Sequence, residues 1–391
     1  MVALFISVFI ILVLAELIKG LSANGTPPIL QSYPWQLDLA YFMWSNILYF
    51  RIILVAILAF LCWSMSSVEC SAVLIPSIIL AALWGIIYWI FNLFWVGKYK
   101  FEVLKNPVFK SASENKIALS EQVMGVDWKG VKKAYPVSMI FYHHQFSDMF
   151  STHPVVVTYC GMCQAGRVYD GLVDGEALQL SLVGAITYNA ILKDSKTGTW
   201  WRQETGEAVK GKRKGMQLED VPMEQMSLKN WLEKHPTSEV LQQDPKYVDK
   251  YTFLTKLMNY EASFPRWFNQ EIPPLVIGLE VDGHSRAYSW NELQKKRMVL
   301  DSIGDKQLLL LSSEDGTSPF AYDRKIDGQE LTFEISGDEL TDTHTQSKWD
   351  LFGRCIAGKL KGKELNKVQI YKQFIRAWIS FRPDSTFYDF N

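Results

Sequence analysis

Part of this chain is written twice, so any fold it adopts must accommodate two copies of one pattern. Gly125-Val-Asp-Trp-Lys-Gly-Val-Lys-Lys-Ala-Tyr135-Pro returns 153 residues later as Gly278-Leu-Glu-Val-Asp-Gly-His-Ser-Arg-Ala-Tyr288-Ser. The same offset pairs Tyr169-Asp170 with Tyr322-Asp323, and Gly184 with Gly337. After a short deletion, Trp200 pairs with Trp349, Gly206 with Gly353, Gly211 with Gly358, Trp231 with Trp378 and Pro236 with Pro383. The copies span residues 114–241 and 274–388. A period this long marks two duplicated domains rather than a stacked solenoid.

Each copy reads as α+β with strands dominant. Residues 123–134 form a hairpin around Lys129-Gly130, and 137–145 a short helix. The β-branched run 154–159 suits a buried strand. Residues 167–182 read as two strands joined at Val173-Asp174-Gly175, and 227–234 as a short helix stopped by His235-Pro236. Strands and helices do not alternate, which argues against a doubly wound parallel sheet.

The first hundred residues differ from the rest. Charges are sparse before Lys98 and frequent after it, although the whole chain carries a net charge of only -1. That balance gives no general attraction to nucleic acid. Three apolar stretches, 2–15, 52–68 and 72–96, precede the copies. A spanning helix needs about 20 apolar residues. The third stretch meets this outright. The second meets it if Arg51 snorkels to the interface, and the first is closed early by Glu16 and Lys19. A cleaved signal peptide would need a basic start and a small-residue cleavage site, and neither is evident. Trp44, Tyr49, Trp63, Trp84, Trp89 and Trp95 suit membrane interfaces. The bland alternative is a buried helical hairpin, which is usually shorter. The expected architecture is therefore α+β: about three transmembrane helices in 1–100, then two tandem, mainly antiparallel β-rich domains. The first domain is 101–243, 244–269 is a connector, and 270–391 is a degenerate second domain.

The duplication separates scaffold from chemistry. Cys160-Gly161-Met162-Cys163 follows the strand at 154–159, and the second copy has Ser313 and Gly316 where the thiols stand. His144 faces Arg297, whereas Asp148 faces Asp301 and is kept. Gln203 and Glu204 lie in a segment that the second copy shortens to Asp350-Leu-Phe-Gly353. The first copy thus reads as the active or binding unit. Its thiols could cycle between dithiol and disulfide. They could bind copper(I) or another thiophilic metal, with His144 as a third ligand. Structural zinc is the weakest reading, since no second Cys-x-x-Cys exists and Cys355 lies in the other copy. Two ordinary core cysteines are the plain alternative. No helix follows the motif, so activation of a thiol would come from Arg167 or His144. His144 and Asp148, read as one turn apart on a helix, would share a face, and Asp148 would orient the imidazole. Cys62 and Cys70, in and after the second apolar stretch, are ordinary membrane-helix cysteines or a relay to the motif.

The segments Ala134-Tyr-Pro136, His144 with Asp148, Val157-Thr-Tyr-Cys-Gly-Met-Cys163 and 194–206 with Trp200 and Gln203 resemble the family called domain of unknown function 3179. Gly211, Trp231 and His235-Pro236 complete the likeness, which is good over 114–241 and weak in the second copy. Members commonly look exported or membrane-attached, and some carry selenocysteine within the Cys-x-x-Cys motif. The resemblance therefore implies thiol or selenol redox chemistry at Cys160 or Cys163. The family motif often has Pro and Gly where this chain has Gly161 and Gln164.

The leading expectation is a membrane-anchored thiol redox protein without a cofactor, held at the lipid bilayer, whose redox partner would be another protein's disulfide, a small oxidant or a quinone-linked membrane protein. Cys160 would be the exposed nucleophile, Cys163 the resolving thiol and His144 the proton-transfer group, with Asp148, Tyr159, Arg167 and Gln203 in support. The alternatives are a copper-type accessory protein holding metal through Cys160, Cys163 and His144, and a non-catalytic interaction module. Lys98, Lys100, Lys105 and Lys110 place the large domain in the cytoplasm by charge. The resemblance places it outside, and an extracytoplasmic domain is the expectation taken.

Overall fold

A computed structural model describes residues 1–23, 33–94, 101–259 and 274–390. Trp95, Lys98, Lys100 and the last part of the connector lie outside the described residues. The chain forms two compact units. One comprises residues 1–103, 179–202 and 207–216, and the other 104–178, 203–206 and 217–391.

In the first unit, three helices are long and apolar enough to cross a membrane. They are α1 (Val2–Ala23), α2 (Trp35–Ser64) and α3 (Ser67–Trp89), the last continued by a π-turn, Ile90–Phe94. Their outward residues are apolar, among them Ile53, Phe60, Ile75 and Ile79. Ser66 and Glu69 form a reciprocal capping box that starts α3. Glu16 and Lys19 do not end α1, which runs on to Ala23. Arg51 does not snorkel either. Its guanidinium donates twice to the fully buried Glu16 carboxylate, at 2.5 and 3.0 Å, and once to Asn92 at 2.9 Å. Lys19 donates to Asn92 at 2.5 Å. Charges this costly to bury persist only when paired, and here all three helical segments supply partners.

The same unit contains the antiparallel sheet of Leu180–Ile186, Asn189–Asp194, Trp200–Arg202 and Ala208–Lys210. Val183, Ile191 and Trp200 pack with Ala23 and Ala40, and Tyr41 and Trp44 meet Trp200 edge-on. Gly184 is required by closeness, since a Cβ there would lie 1.7 Å from the Ala23 carbonyl oxygen.

The second unit holds the rest of the first copy and all described residues of the second. Gln122–Trp128 and Val131–Pro136 form the expected hairpin, with Lys129 and Gly130 both at positive φ. Its counterpart is Leu275–Val281 with His284–Ser289. Each hairpin feeds a seven-residue helix, Val137–His143 or Trp290–Lys296, and then an antiparallel ladder of three strands, to which Asn366–Lys367 adds a fourth in the second copy. Near the end of each copy a helix places one tryptophan over a glycine of the hairpin. A Cβ at Gly125 would meet Trp231, and one at Gly278 would meet Trp378. The indoles donate to Ser238 and Ser385 at 2.7 and 2.6 Å.

Two pairings drawn from the sequence are corrected by register. A bulge falls between Trp200 and Trp201, and another between Lys348 and Trp349, so Trp349 matches Trp201 rather than Trp200. Gly337 occupies a two-residue hairpin turn, whereas Gly184 lies inside a strand.

Candidate functional site

The Cys-x-x-Cys motif is the connection of a hairpin. His153–Cys160 pairs with Ala165–Asp170, setting Thr158 against Arg167 and Cys160 against Ala165. Residues 161–164 close the turn, with Gln164 at φ 54. As expected, a strand and not a helix follows Cys163. The expectation of an exposed nucleophile is overturned. Cys160 is 2 % exposed, Cys163 is 0 % exposed, and neither is bridged. The Phe141 ring covers the turn, so that a Cβ on Gly161 would lie 1.5 Å from Phe141 Cε2. From the second copy, Phe374 N–H donates to the Cys163 carbonyl at 2.9 Å.

Tyr159 precedes the motif and is buried. Its hydroxyl donates to Gln164 Oε1 at 3.3 Å. Burial first, then the neighbouring Cys163 and Cys160 sulfurs, push its phenol well above the usual range. One hydroxyl thus lies within electrostatic reach of both thiols.

His144 is not on a helical face. It caps the Val137–His143 helix at φ 62, while Asp148 lies on the following strand, Gln145–Phe150. The proposed His144–Asp148 orientation is therefore wrong. The short helix ends one residue before His144, which sits at its left-handed cap outside the following strand, and the Asp148 carboxylate is taken by Lys133 and Tyr135. The His144 carbonyl accepts from Tyr159 N–H at 2.9 Å, and its partly buried ring stacks on Phe141 with centroids 6.4 Å apart. His143 is buried, its Nε2 2.7 Å from the Tyr251 hydroxyl.

Asp148 belongs to the scaffold. It accepts from Lys133 at 2.9 Å and Tyr135 at 2.7 Å. In the second copy Asp301 accepts from Arg286 at 2.7 Å and Tyr288 at 2.5 Å. The positive φ is shared too, since Arg297 caps its helix at φ 66. The left-handed cap at His144 is thus a property of the fold.

Arg167 is buried and engaged by carboxylate and ring. Its Nη2 donates to Glu204 at 2.5 Å, and its guanidinium lies 3.4 Å from the centroid of Tyr371. Burial works against its charge, but Glu204, Tyr371 and Tyr169 together more than offset this and hold the pKa above the ordinary value. Glu204 also accepts from Arg382 at 2.9 Å. Gln203 donates to Thr158 Oγ1 at 3.0 Å and to the Ala165 carbonyl at 3.1 Å, which ties the hairpin beside Cys160. A cavity of about 420 Å³ lies alongside, walled by Arg167, Val221, Met223, Lys367 and Tyr371 among others.

Tyr371, Phe374 and Arg382 come from the copy read as degenerate, and the sequence reading missed all three. The signal available was positional: residues 147 apart match at Trp231 and Trp378, which sets Arg382 against His235. Among the described residues, no three His, Cys, Asp or Glu side chains gather as a metal-holding group.

Three helices among the described residues long and apolar enough to cross a membrane, followed by a duplicated β-rich region with a buried thiol pair in one copy, define the class of this protein. The family described as Protein of unknown function (DUF3179) matches residues 101–385, and the chain belongs to it. The match runs through both copies, further than the likeness seen in the sequence over 114–241. Comparison with curated proteins and with solved structures finds no significant match.

Proposed function

We propose that this protein is a membrane-anchored thiol–disulfide protein working through Cys160 and Cys163. The observation that carries this reading is the pair itself: two thiols at one hairpin end, Cys160 closing its strand and Cys163 in the turn, both beside Tyr159, with Ser313 and Gly316 at the matching positions of the second copy. On oxidation the two thiols lose two protons and two electrons as their S–S bond forms. A disulfide of a partner protein takes up both and becomes a dithiol. His144, whose partly buried ring stacks on the Phe141 that covers the turn, would be the side chain that handles a proton.

In this reading residues 1–100 cross the bilayer several times and hold the large domains, 101–243 and 270–391, on the extracytoplasmic side. Oxidising conditions there favour a working disulfide. An engineered surface cysteine in the second copy, reacted with an impermeant label in intact cells, tests the side. Protection from the label reverses it.

The deciding experiment is purification in detergent without reductant, followed by thiol counting, peptide mapping and metal analysis of one sample. A reversible Cys160–Cys163 disulfide is expected. Stoichiometric metal that is lost in Cys160→Ser would overturn the redox reading in favour of metal binding. Two permanently reduced, unreactive thiols would reduce the pair to core cysteines.

A further inference from the structure

The duplication sets two versions of one interface side by side. In each, a strand near the end of one copy packs against the ladder of the other. Ser227 N–H, from the strand Glu224–Ser227, donates to Ser318 Oγ at 3.0 Å. Phe374 N–H, from the strand Ile370–Phe374, donates to the Cys163 carbonyl. Strand registers match the positions one by one. Thr158 faces Arg167 as Leu311 faces Phe320, and Met226 faces Val123 as Gln373 faces Val276. Tyr169 donates to the Gln203 carbonyl as Tyr322 donates to that of Leu351, and each segment closes at a positive-φ glycine, Gly206 or Gly353.

At the interface without thiols the five matched positions hold Met226, Leu311, Phe320, Leu351 and Phe352, one apolar cluster. At the interface with thiols the same five hold Gln373, Thr158, Arg167, Gln203 and Glu204, all buried. Replacing a buried ion pair by well-packed apolar groups is commonly neutral or stabilising. This fold already contains the apolar solution, so folding does not require the polar one. The polar version also leaves buried groups unsatisfied. Neither amide atom of Gln373 and not the Nε of Arg167 has a hydrogen-bond partner among the described residues. Buried polar atoms of this kind cost stability and call for a functional reason.

The position of the thiols supplies one. Side chains alternate along a strand, so Cys160 projects from the same face as Thr158, and Ala165 from the same face as Arg167. Gln203 bridges Thr158 and Ala165, the residues two places before and directly across from Cys160. Gln373 precedes the residue that binds the Cys163 carbonyl. We infer that Gln373, Thr158, Arg167, Gln203 and Glu204 are positioning residues that stabilise negative charge on the Cys160–Cys163 pair, through the Gln373 amide and a guanidinium that Glu204 holds in place, with Gln203 and Thr158 bracing the strand beside Cys160. The step is loss of a thiol proton to water, leaving a thiolate in a region otherwise too apolar to hold one.

This inference rests on the thiol reading and is tested by giving the first copy the core of the second. The variant Thr158→Leu, Arg167→Phe, Gln203→Leu, Glu204→Phe, Gln373→Met is compared with the wild type in the full detergent-solubilised chain. Thermal unfolding and the pH dependence of thiolate ultraviolet absorbance are followed, each corrected against Cys160→Ser. The expected result is an unfolding temperature equal to or above that of the wild type, with the thiolate midpoint raised by about one unit, a tenfold smaller thiolate fraction below the midpoint. Gln373→Met alone is expected to move both in the same directions by less. A five-residue variant that fails to fold places the network in the scaffold and overturns the inference. So does one that folds with an unchanged midpoint. A wild type with no reversible Cys160–Cys163 disulfide overturns the thiol reading itself, whatever the variant does.

Discussion

Arg167 and Phe320 occupy one position in two hairpins, opposite Thr158 in the first copy and Leu311 in the second. The partner across the neighbouring segment changes with them. Arg167 meets Glu204, whereas Phe320 meets Phe352 edge-on with ring centroids 5.9 Å apart. A charged pair and an aromatic pair thus serve one backbone, and each reports what its surroundings need.

The Gly161 position should be intolerant of any side chain because Phe141 already fills the space. Gly161→Ala is expected to cost about 1–3 kcal/mol through overpacking. Phe141→Leu should recover part of that loss in the double variant. Thermal unfolding of the three proteins checks this, and an additive double variant would show that the two sites are independent.

Asp148 should matter for stability and not for thiol chemistry. Asp148→Ala strands the Lys133 ammonium, which is almost fully buried, and is expected to cost about 3–5 kcal/mol. Asp301→Ala should cost less, since Arg286 reaches solvent more freely. Denaturant unfolding measures both. A changed Cys160–Cys163 reduction equilibrium in a folded Asp148 variant would contradict the scaffold role.

Acid should weaken the first copy through His235. Burial first, then Lys234, lowers its pKa from 6.5 to about 4. A histidine harder to protonate when folded than when unfolded binds fewer protons in the native state. Its contribution is therefore intact above pH 6.5, declines as pH falls toward 4 and changes little below that. His235→Gln is expected to flatten this part of the profile of unfolding temperature against pH. An unchanged profile in His235→Gln would assign the acid sensitivity elsewhere.

Within the helices, Glu16 should act as the counter-charge for Arg51. Glu16→Ala leaves Arg51 without its carboxylate and is expected to lower stability in detergent by about 3 kcal/mol or more. Arg51→Ala added to it should restore part of the loss. If the two single losses simply add, the pair makes no net coupling.

Much of the ladder was legible because its turns carry strong local chemistry. Lys129-Gly130 and Asp174-Gly175 both adopt the left-handed pairs their composition suggests. The apolar strand before the motif and the helix ended by His235 were legible for similar reasons. The junction at His144 was not. No glycine or proline marks it, and a helix passes into a strand at a left-handed histidine. The tryptophan pairing slipped because two adjacent tryptophans flank a bulge that the sequence does not announce. The polar core escaped for a different reason. Arg167 looks like a surface residue until strand alternation turns it inward, Gln203 and Glu204 look like ordinary turn residues although both are buried, and Gln373 means nothing until it is set against Met226. The contribution of the second copy was hidden by the inference that loss of the thiols meant loss of all chemistry.

The hydrogen bond from Phe374 to Cys163 has a consequence for how the thiols can be observed. An amide proton held there exchanges with solvent deuterium only when the strand lifts from the turn. The exchange of that single amide therefore measures how often the turn is uncovered. Reagents that reach the sulfurs only by that opening cannot label them faster than it occurs, however nucleophilic the sulfur beneath.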